Sequence, residues 1–267
     1  MFSRYGQVFS LGIQNTLVYR WNFLLRAAYN LIPLLTTYFI WQAVFAKKQA
    51  PIDGYSYPLM IAYYLALVVL TNTVAPTDEE FQIAADIRDG QLNQFLLRPV
   101  NYFLYRFILF VSGRLVYIAV TFLPLAFLLY CFRHFFANVP LSETWLPALL
   151  AFAGSGLLQF VVAFLVGILG FWVLEISSIA FMLYALEFLA GGNTFPLDLL
   201  PEPWRSAALS TPFAYEYFFP AGVLVGRIHG AAVWHGFLGQ MAWTLALLLF
   251  AAWAWGRGLR RYTAVGS

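Results

Sequence analysis

Charge is scarce in this sequence: only 10% of its 267 residues are Asp, Glu, Lys or Arg, against 62% that are hydrophobic. Soluble domains carry roughly 25% charged residues, so a water-soluble globular chain is excluded first. Lysine is scarcer still, present only as Lys47 and Lys48, and neither follows a glycine. A phosphate-binding loop needs G-x-x-x-x-G-K-[ST], with the Lys on the phosphates. The chain is therefore not a conventional P-loop ATPase by itself. The lone cysteine, Cys131, sits in an apolar run and rules out an intrachain disulfide. His134, His229 and His235 have no carboxylate at ligand spacing, which argues against a zinc centre. The basic residues are scattered and the net charge is only +3, which argues against a nucleic-acid partner. The opening "MFSRYGQVFSLG" lacks the short apolar core and cleavage site of a signal peptide, so the first long apolar block is expected to remain as a helix. No internal repeat is visible, direct or inverted.

What the sequence has is apolar length. Mean hydropathy is +0.74, and 27 residues are Phe. A spanning helix needs about 20 mainly apolar residues, and six blocks qualify: about Asn22–Ala46, Tyr57–Pro76, Phe107–Phe132, Trp145–Trp172, Ile176–Gly191 and Ala232–Trp255. The expected fold class is all-α, a single polytopic membrane domain over residues 1–267 with six transmembrane helices. With the N-terminus in the cytoplasm, nine Arg fall on inner segments (Arg4, Arg20, Arg26, Arg88, Arg98, Arg106, Arg257, Arg260, Arg261). Five Lys or Arg fall on outer ones (Lys47, Lys48, Arg133, Arg205, Arg227). This asymmetry places both termini inside.

Between the second and third blocks lies a polar stretch, "PTDEEFQIAADIRDGQLNQFLLRP". Asp78, Glu79 and Glu80 suit the first turn of a helix, where negative charge complements the dipole. Phe81, Ile83, Ile87, Leu92, Phe95 and Leu96 recur at helical spacing. Gly90 is expected to break the helix and Pro99 to end the second piece. Two readings stay open at this point: a solvated connection lying on the membrane surface, or a face that docks a soluble partner. Residues Tyr5 to Tyr19 alternate apolar and polar groups at near-helical spacing, as an interfacial helix does. Arg114 is expected near the interface. Glu175 lies in the tight turn between the fourth and fifth blocks, either simply interfacial or in contact with a partner. Glu187 lies about three turns into the fifth block; it either pairs with the following segment or lines a pathway. Residues 191–226 hold five prolines and many aromatics, too broken for one spanning helix and too apolar for a free loop. Short re-entrant helices or an interfacial aromatic belt both fit.

Three stretches, in this order, carry a family resemblance: "YRWNFLL" at Tyr19–Leu25, "IRDGQLNQFLLRPVNYF" at Ile87–Phe103 and "GGNTFPLDLLPEPWRSAALSTPFAYEYFFPAG" at Gly191–Gly222. The chain resembles the membrane permease subunits of bacterial type-2 ATP-binding cassette (ABC) exporters. The match is most specific in the G-x-L-x-x-x-L-L-R-P pattern from Gly90 to Pro99. The resemblance implies an N-terminal elbow helix over 1–21, a cytoplasmic coupling segment over 77–102 and a re-entrant outer segment over 191–226. It implies a separate ATPase dimer that carries the ATP and Mg, this chain binding no cofactor. It also implies a second permease, identical or a paralogue, and a place in the bacterial inner membrane. The coupling contacts would then be Leu92, Phe95 and Leu96 filling a groove on the ATPase, with Asp86, Arg88, Asp89 and Arg98 orienting it. Gly90 and Pro99 would shape the segment, and Glu175 would lie beside it. Glu187, Phe195, Trp204 and Phe213 are the candidates for the outer gate or pathway.

Two other readings were weighed. A secondary transporter would place charges at mid-membrane on several helices or carry inverted repeats. The "AGSG" at Ala153–Gly156, with His235 on the sixth block, resembles the rhomboid-type intramembrane serine protease site only in part. Ala153 replaces the first glycine of the motif, and the Trp-Arg and His/Asn pairs of that family are missing.

Overall fold

The structure is a computed structural model that describes residues 2–18, 21, 25, 31–48, 50–96 and 100–262. Among them it is all-helical, with one isolated bridge between Ile52 and Tyr55 and no strand. In chain order the helices are α1 (Phe2–Val18), α2 (Leu31–Lys48), α3 (Tyr57–Val74), α4 (Glu79–Arg88), α5 (Asn93–Leu96) and α6 (Tyr102–Cys131). They continue with α7 (Leu141–Ile168), α8 (Ser177–Ala190), α9 (Trp204–Leu209), α10 (Pro212–Glu216), α11 (Phe218–Leu224) and α12 (Ala231–Leu259). Arg4, Arg20, Arg26, Arg98 and Pro99 lie outside the residues or side chains described.

The chain's polarity is turned outward-in relative to a soluble protein. Leu123, Phe127, Leu174, Phe181 and Trp234 are all exposed, far more contiguous apolar surface than a soluble monomer tolerates. Among the described residues, four helical stretches are long and apolar enough to cross a membrane: Tyr57–Arg88, Tyr102–Cys131, Leu141–Phe171 and Ala231–Leu259. The fifth block gives a shorter helix, while most of the first block before Leu31 lies outside the described residues. α8 has 14 residues, about 21 Å of helix against a hydrocarbon core of about 30 Å. α2 has 18 residues but ends in Lys47 and Lys48, which lower its hydropathy.

α3 is the central helix. Met60 through Leu67 are buried on every side, so it has no lipid-facing stripe to betray it. Ser56 caps it, accepting the Leu59 N–H at 3.4 Å. Its hydroxyls anchor the segment after α8: Tyr63 donates to the Gly192 carbonyl at 2.9 Å and Tyr64 to the Thr194 carbonyl at 2.6 Å. At the outer end, Arg227 donates to Asp198 at 2.9 Å and to the Asp53 carbonyl at 2.6 Å. Tyr55 donates to the same Asp198 at 3.1 Å. One carboxylate thus ties three connections together. Burial, and then the charge of Asp198, push the Tyr55 phenol well above its ordinary pKa, so it stays a donor.

Pro76 ends α3, because it cannot continue a helix interior. The Glu79 carboxylate then folds back to accept the backbone N–H of Thr77 and of Asp78, and α4 starts. α4 packs into the bundle against the inner end of α7, where Gly167 and Gly170 leave room for Ile83 and Ala84. α4 ends at Gly90, whose φ of +74° suits glycine. The Leu92 N–H then closes the turn on the Asp86 carbonyl at 3.0 Å.

α6 is capped by Asn101, which accepts the Leu104 N–H at 3.0 Å, and α1 packs along it with Gly12 against Ser112 and Leu109. Phe103, Phe107 and Phe110 of α6 mesh with Phe160 and Phe164 of α7 through edge-on and tilted ring contacts. Residues 191–226 form no continuous helix; their longest piece is α11, seven residues, buried from Phe218 to Val223.

A β-carbon added at Gly167 would lie 2.6 Å from Ile83 Cβ, whereas one at Gly256 meets nothing within 4 Å. Gly167→Ala should therefore destabilise the protein by about 1–3 kcal/mol through overpacking. Gly256→Ala, the same chemical change, should leave the melting temperature in lipid nanodiscs unchanged or slightly higher.

Candidate functional site

The polar stretch that follows α3 is organised by one arginine. Arg106, one turn into α6, is 9% exposed and donates in four directions. Its Nη2 bonds the Asp86 carboxylate and, at 3.0 Å, the Gln82 carbonyl. Its Nη1 bonds the Gln82 side chain at 3.0 Å, and its Nε reaches the Tyr102 hydroxyl at 3.0 Å. Tyr102 in turn donates to Asp86 at 2.7 Å. Position i and i+4 on α6 put Tyr102 and Arg106 on one face, and i and i+4 on α4 do the same for Gln82 and Asp86. The two faces meet with their hydrogen bonds satisfied, as a buried ion pair requires.

This places the expected coupling residues in two groups. Asp86 and Leu92 face inward. Asp86 is committed to Arg106 and Tyr102, and Leu92 has no exposed area, so neither offers the groove-filling or orienting contact expected of it. Phe95 is half-buried, its ring 5.1 Å from Tyr102 and 4.6 Å from Tyr105. The reason for the difference is that α7 takes the apolar face of α4 while α6 takes Asp86 through Arg106 and Tyr102. Arg88 and Asp89 are the outward group: both are exposed and paired with each other at 2.9 Å. Glu175 is exposed as well. The Ser177 hydroxyl and N–H hold its carboxyl below the usual carboxylate range, and the Arg88 charge adds to this. Arg88, Asp89 and Glu175 therefore share one surface at one end of the bundle. Leu96 closes α5.

The outer candidates divide likewise. Trp204 is exposed, and Phe195 and Phe213 are half-buried. Glu187 accepts the Tyr217 hydroxyl at 2.6 Å, so it pairs with the segment after α8. Arg114 bonds the Thr77 hydroxyl and lies over the Tyr117 ring at 5.0 Å. It meets the α3–α4 break at Thr77.

Several polar residues escaped the sequence reading. Glu80 is buried and accepts the Tyr184 hydroxyl; the acidic triplet 78–80 reads as helix-start chemistry and hides it. Glu216 is fully buried; a carboxylate inside "PFAYEYFFP" was the available signal. Ser155 and Gln159 are buried on α7. The Ser155 hydroxyl donates to the Glu216 carbonyl at 2.5 Å and accepts Gln159 Nε2 at 2.9 Å. His235 is exposed on α12. The serine is thus committed to the backbone of α10, which leaves no Ser–His arrangement for nucleophilic catalysis.

Comparison with curated proteins finds no match. A family model described as "ABC-2 family transporter protein" matches residues 31–266. That match spans the four long apolar helices, the inner surface and the broken outer segment together, and the chain belongs to the ABC-2 family of transporter proteins.

Proposed function

We propose that this chain is the membrane-spanning permease subunit of an ABC exporter, working beside a second permease and driven by a separate ATPase dimer. The family match supports the transport role, and the absence of any Gly-Lys pair supports a motor on another chain. The nucleotide and its Mg would bind that partner. One observation carries the coupling surface: α4 presents Arg88 and Asp89 to solvent while its opposite face is fixed to α6 through Asp86 and Arg106. Arg88, Asp89 and Glu175 would meet the ATPase, with Leu96, Arg98 and Pro99 next to them in sequence. Asp86, Gly90, Leu92 and Phe95 would hold that surface in place. A push on it would reach α6 through the ion pair and α7 through Gly167 and Gly170.

In this reading the bilayer is the bacterial inner membrane. The four long helices are joined by the first apolar block and by α8 to give six spans, with both termini cytoplasmic. α1 is the elbow at the inner face, and residues 191–226 re-enter from the outside. The short length of α8 fits this arrangement, because α10 and α11 occupy the outer part of the layer beside it. Glu187, Phe195, Trp204 and Phe213 would border the outer end of the pathway.

Two groups of substitutions separate docking from internal support. The exposed pair Arg88→Glu with Asp89→Lys should lower ATPase copurification and transport by at least about tenfold, equivalent to roughly 1.4 kcal/mol of binding, with the melting temperature unchanged. Arg106→Ala leaves Asp86 buried without its partner and should cost about 3–5 kcal/mol of stability. Unchanged copurification in the exposed pair, with normal transport, would reduce this surface to a solvated connection.

The topology is checked by cysteine labelling of intact cells, in a background where the exposed Cys131 is replaced by Ser. Cysteines at Lys47 and Glu143 should react with a membrane-impermeant maleimide, and cysteines at Asp89 and Arg260 should not. Labelling of Asp89 from outside would invert the orientation and remove the coupling role.

A further inference from the structure

A cavity of about 370 Å³ opens between the α3–α4 break, the inner half of α7 and α8. Its wall carries Asp78, Glu80 and Glu187 but no Lys, Arg or His. Arg114 approaches its rim at Thr77, and Glu79 neighbours Glu80 outside the wall. Glu80 accepts the Tyr184 hydroxyl and Glu187 the Tyr217 hydroxyl, and both tyrosines line the same space. Behind Glu187 lies Glu216, fully buried, its carboxyl turned to that of Glu187. Two carboxyl groups in contact share a proton, one donating its O–H and the other accepting, so the pair keeps a single negative charge.

Three buried oxygens here lack a hydrogen-bond donor: both of the Glu216 carboxyl and Oε1 of Gln159. Gln159 is 2% exposed and lines the cavity. Its Nε2 is turned to Ser155, which leaves Oε1 with nothing to accept. Beyond the proton that the two carboxyls share, no protein group donates to these oxygens. Burying acceptors and carboxylates without donors is costly, so the site calls for a ligand that brings donors and positive charge.

Two further features narrow the ligand. The rest of the wall is apolar, including Phe81, Val162, Ala163, Val166 and Leu183. Calcium and magnesium take at least about six oxygen ligands in a close shell, and among the described residues no group of three His, Cys, Asp or Glu is arranged to hold a metal. The volume lies within the usual range for small-molecule sites, roughly 300–1,000 Å³. We propose that this cavity binds an amphipathic organic cation, a protonated amine on an apolar body. The ammonium would sit at Gln159 and Glu187, with Glu216 behind them, beside Tyr184 and Tyr217, whose rings also attract a cation. Calling this molecule the cargo rests on the exporter reading; its binding does not.

The test uses the full chain in phosphatidylcholine nanodiscs, without ATPase. Three probes share one body: 4-phenylbutylamine, 4-phenylbutanol and 4-phenylbutyrate. Isothermal titration should show the amine binding at least about tenfold more tightly than the alcohol, with the carboxylate weakest. The near-isosteric Glu187→Gln/Glu216→Gln variant should lose that preference while alcohol binding stays the same, which also reports that the cavity is still formed. Equal binding of amine and alcohol to the wild type would overturn the proposal, whether or not any variant folds. So would a preference that survives in the double variant. Transport of another cargo by the assembled complex, with no amine binding, would remove this site and leave the exporter reading standing. Amine binding without any ATP-driven transport would do the reverse.

Discussion

A guanidinium taken out of water must find acceptors for its donors, and Arg106 fixes the inner half of this protein by meeting that demand. Its donors go to Asp86, to Gln82 twice and to Tyr102. Every acceptor lies on α4 or on the first turn of α6. The polar stretch that interrupts an apolar chain is therefore not loose. Asp86 is held against α6 and the apolar groups against α7, while Arg88 and Asp89 stay in solvent. A surface with that backing can transmit force; a solvated loop carrying the same residues would dissipate it.

The second constraint is the bilayer's intolerance of unpaired backbone. The break after α3 and the short helices α9 to α11 would be prohibitive if they faced lipid. They are covered instead. Tyr63 and Tyr64 take up carbonyls after α8. Ser155 takes the Glu216 carbonyl, and Gln240 Nε2 donates to the carbonyls of Ala151 and Tyr215, both bonds near 3 Å. Without a hydrophobic drive between helices in lipid, such bonds and the close approaches at glycine are what hold the bundle together. Gly154 beside Gln240 and Gly167 beside Ile83 show both devices on one helix.

Much of this was legible from local signals. Pro76 and Gly90 mark where α3 and α4 end, because each acts through its own backbone. Apolar length gave the four long helices, and the prolines of 191–226 excluded a continuous helix there. What was not legible depended on which side of an element is taken by the rest of the chain. Periodicity puts Ile83, Ile87 and Leu92 on one face but cannot say whether α7 or another protein covers it. Asp86 looks like a free surface charge until α6 brings Arg106 back 20 residues later. Glu80 and Glu216 were lost for a related reason: each sits in a stretch with an ordinary explanation, a helix start or an aromatic belt. Their burial arises from α7 and α8, far away in sequence.

α4 links the two ends of this picture. Glu80, in its first turn, faces the acidic cavity, and Arg88, at its last residue, faces solvent. About 12 Å of helix separates them, and a hydrogen-bonded helix of that length does not compress. The chain on the cavity side is interrupted at Pro76, so α4 is joined to α3 by a short non-helical link instead of a continuous rod. On the other side Gly90 separates it from α5. α4 is thus a stiff element between two breaks, clamped sideways to α6 by Arg106 and to α7 by the glycine contacts. A displacement of Arg88 must move Glu80 relative to α8, where Tyr184 and Glu187 reside. A push where a soluble motor would touch Arg88 would therefore change the distance across the cavity between Glu80 and Glu187.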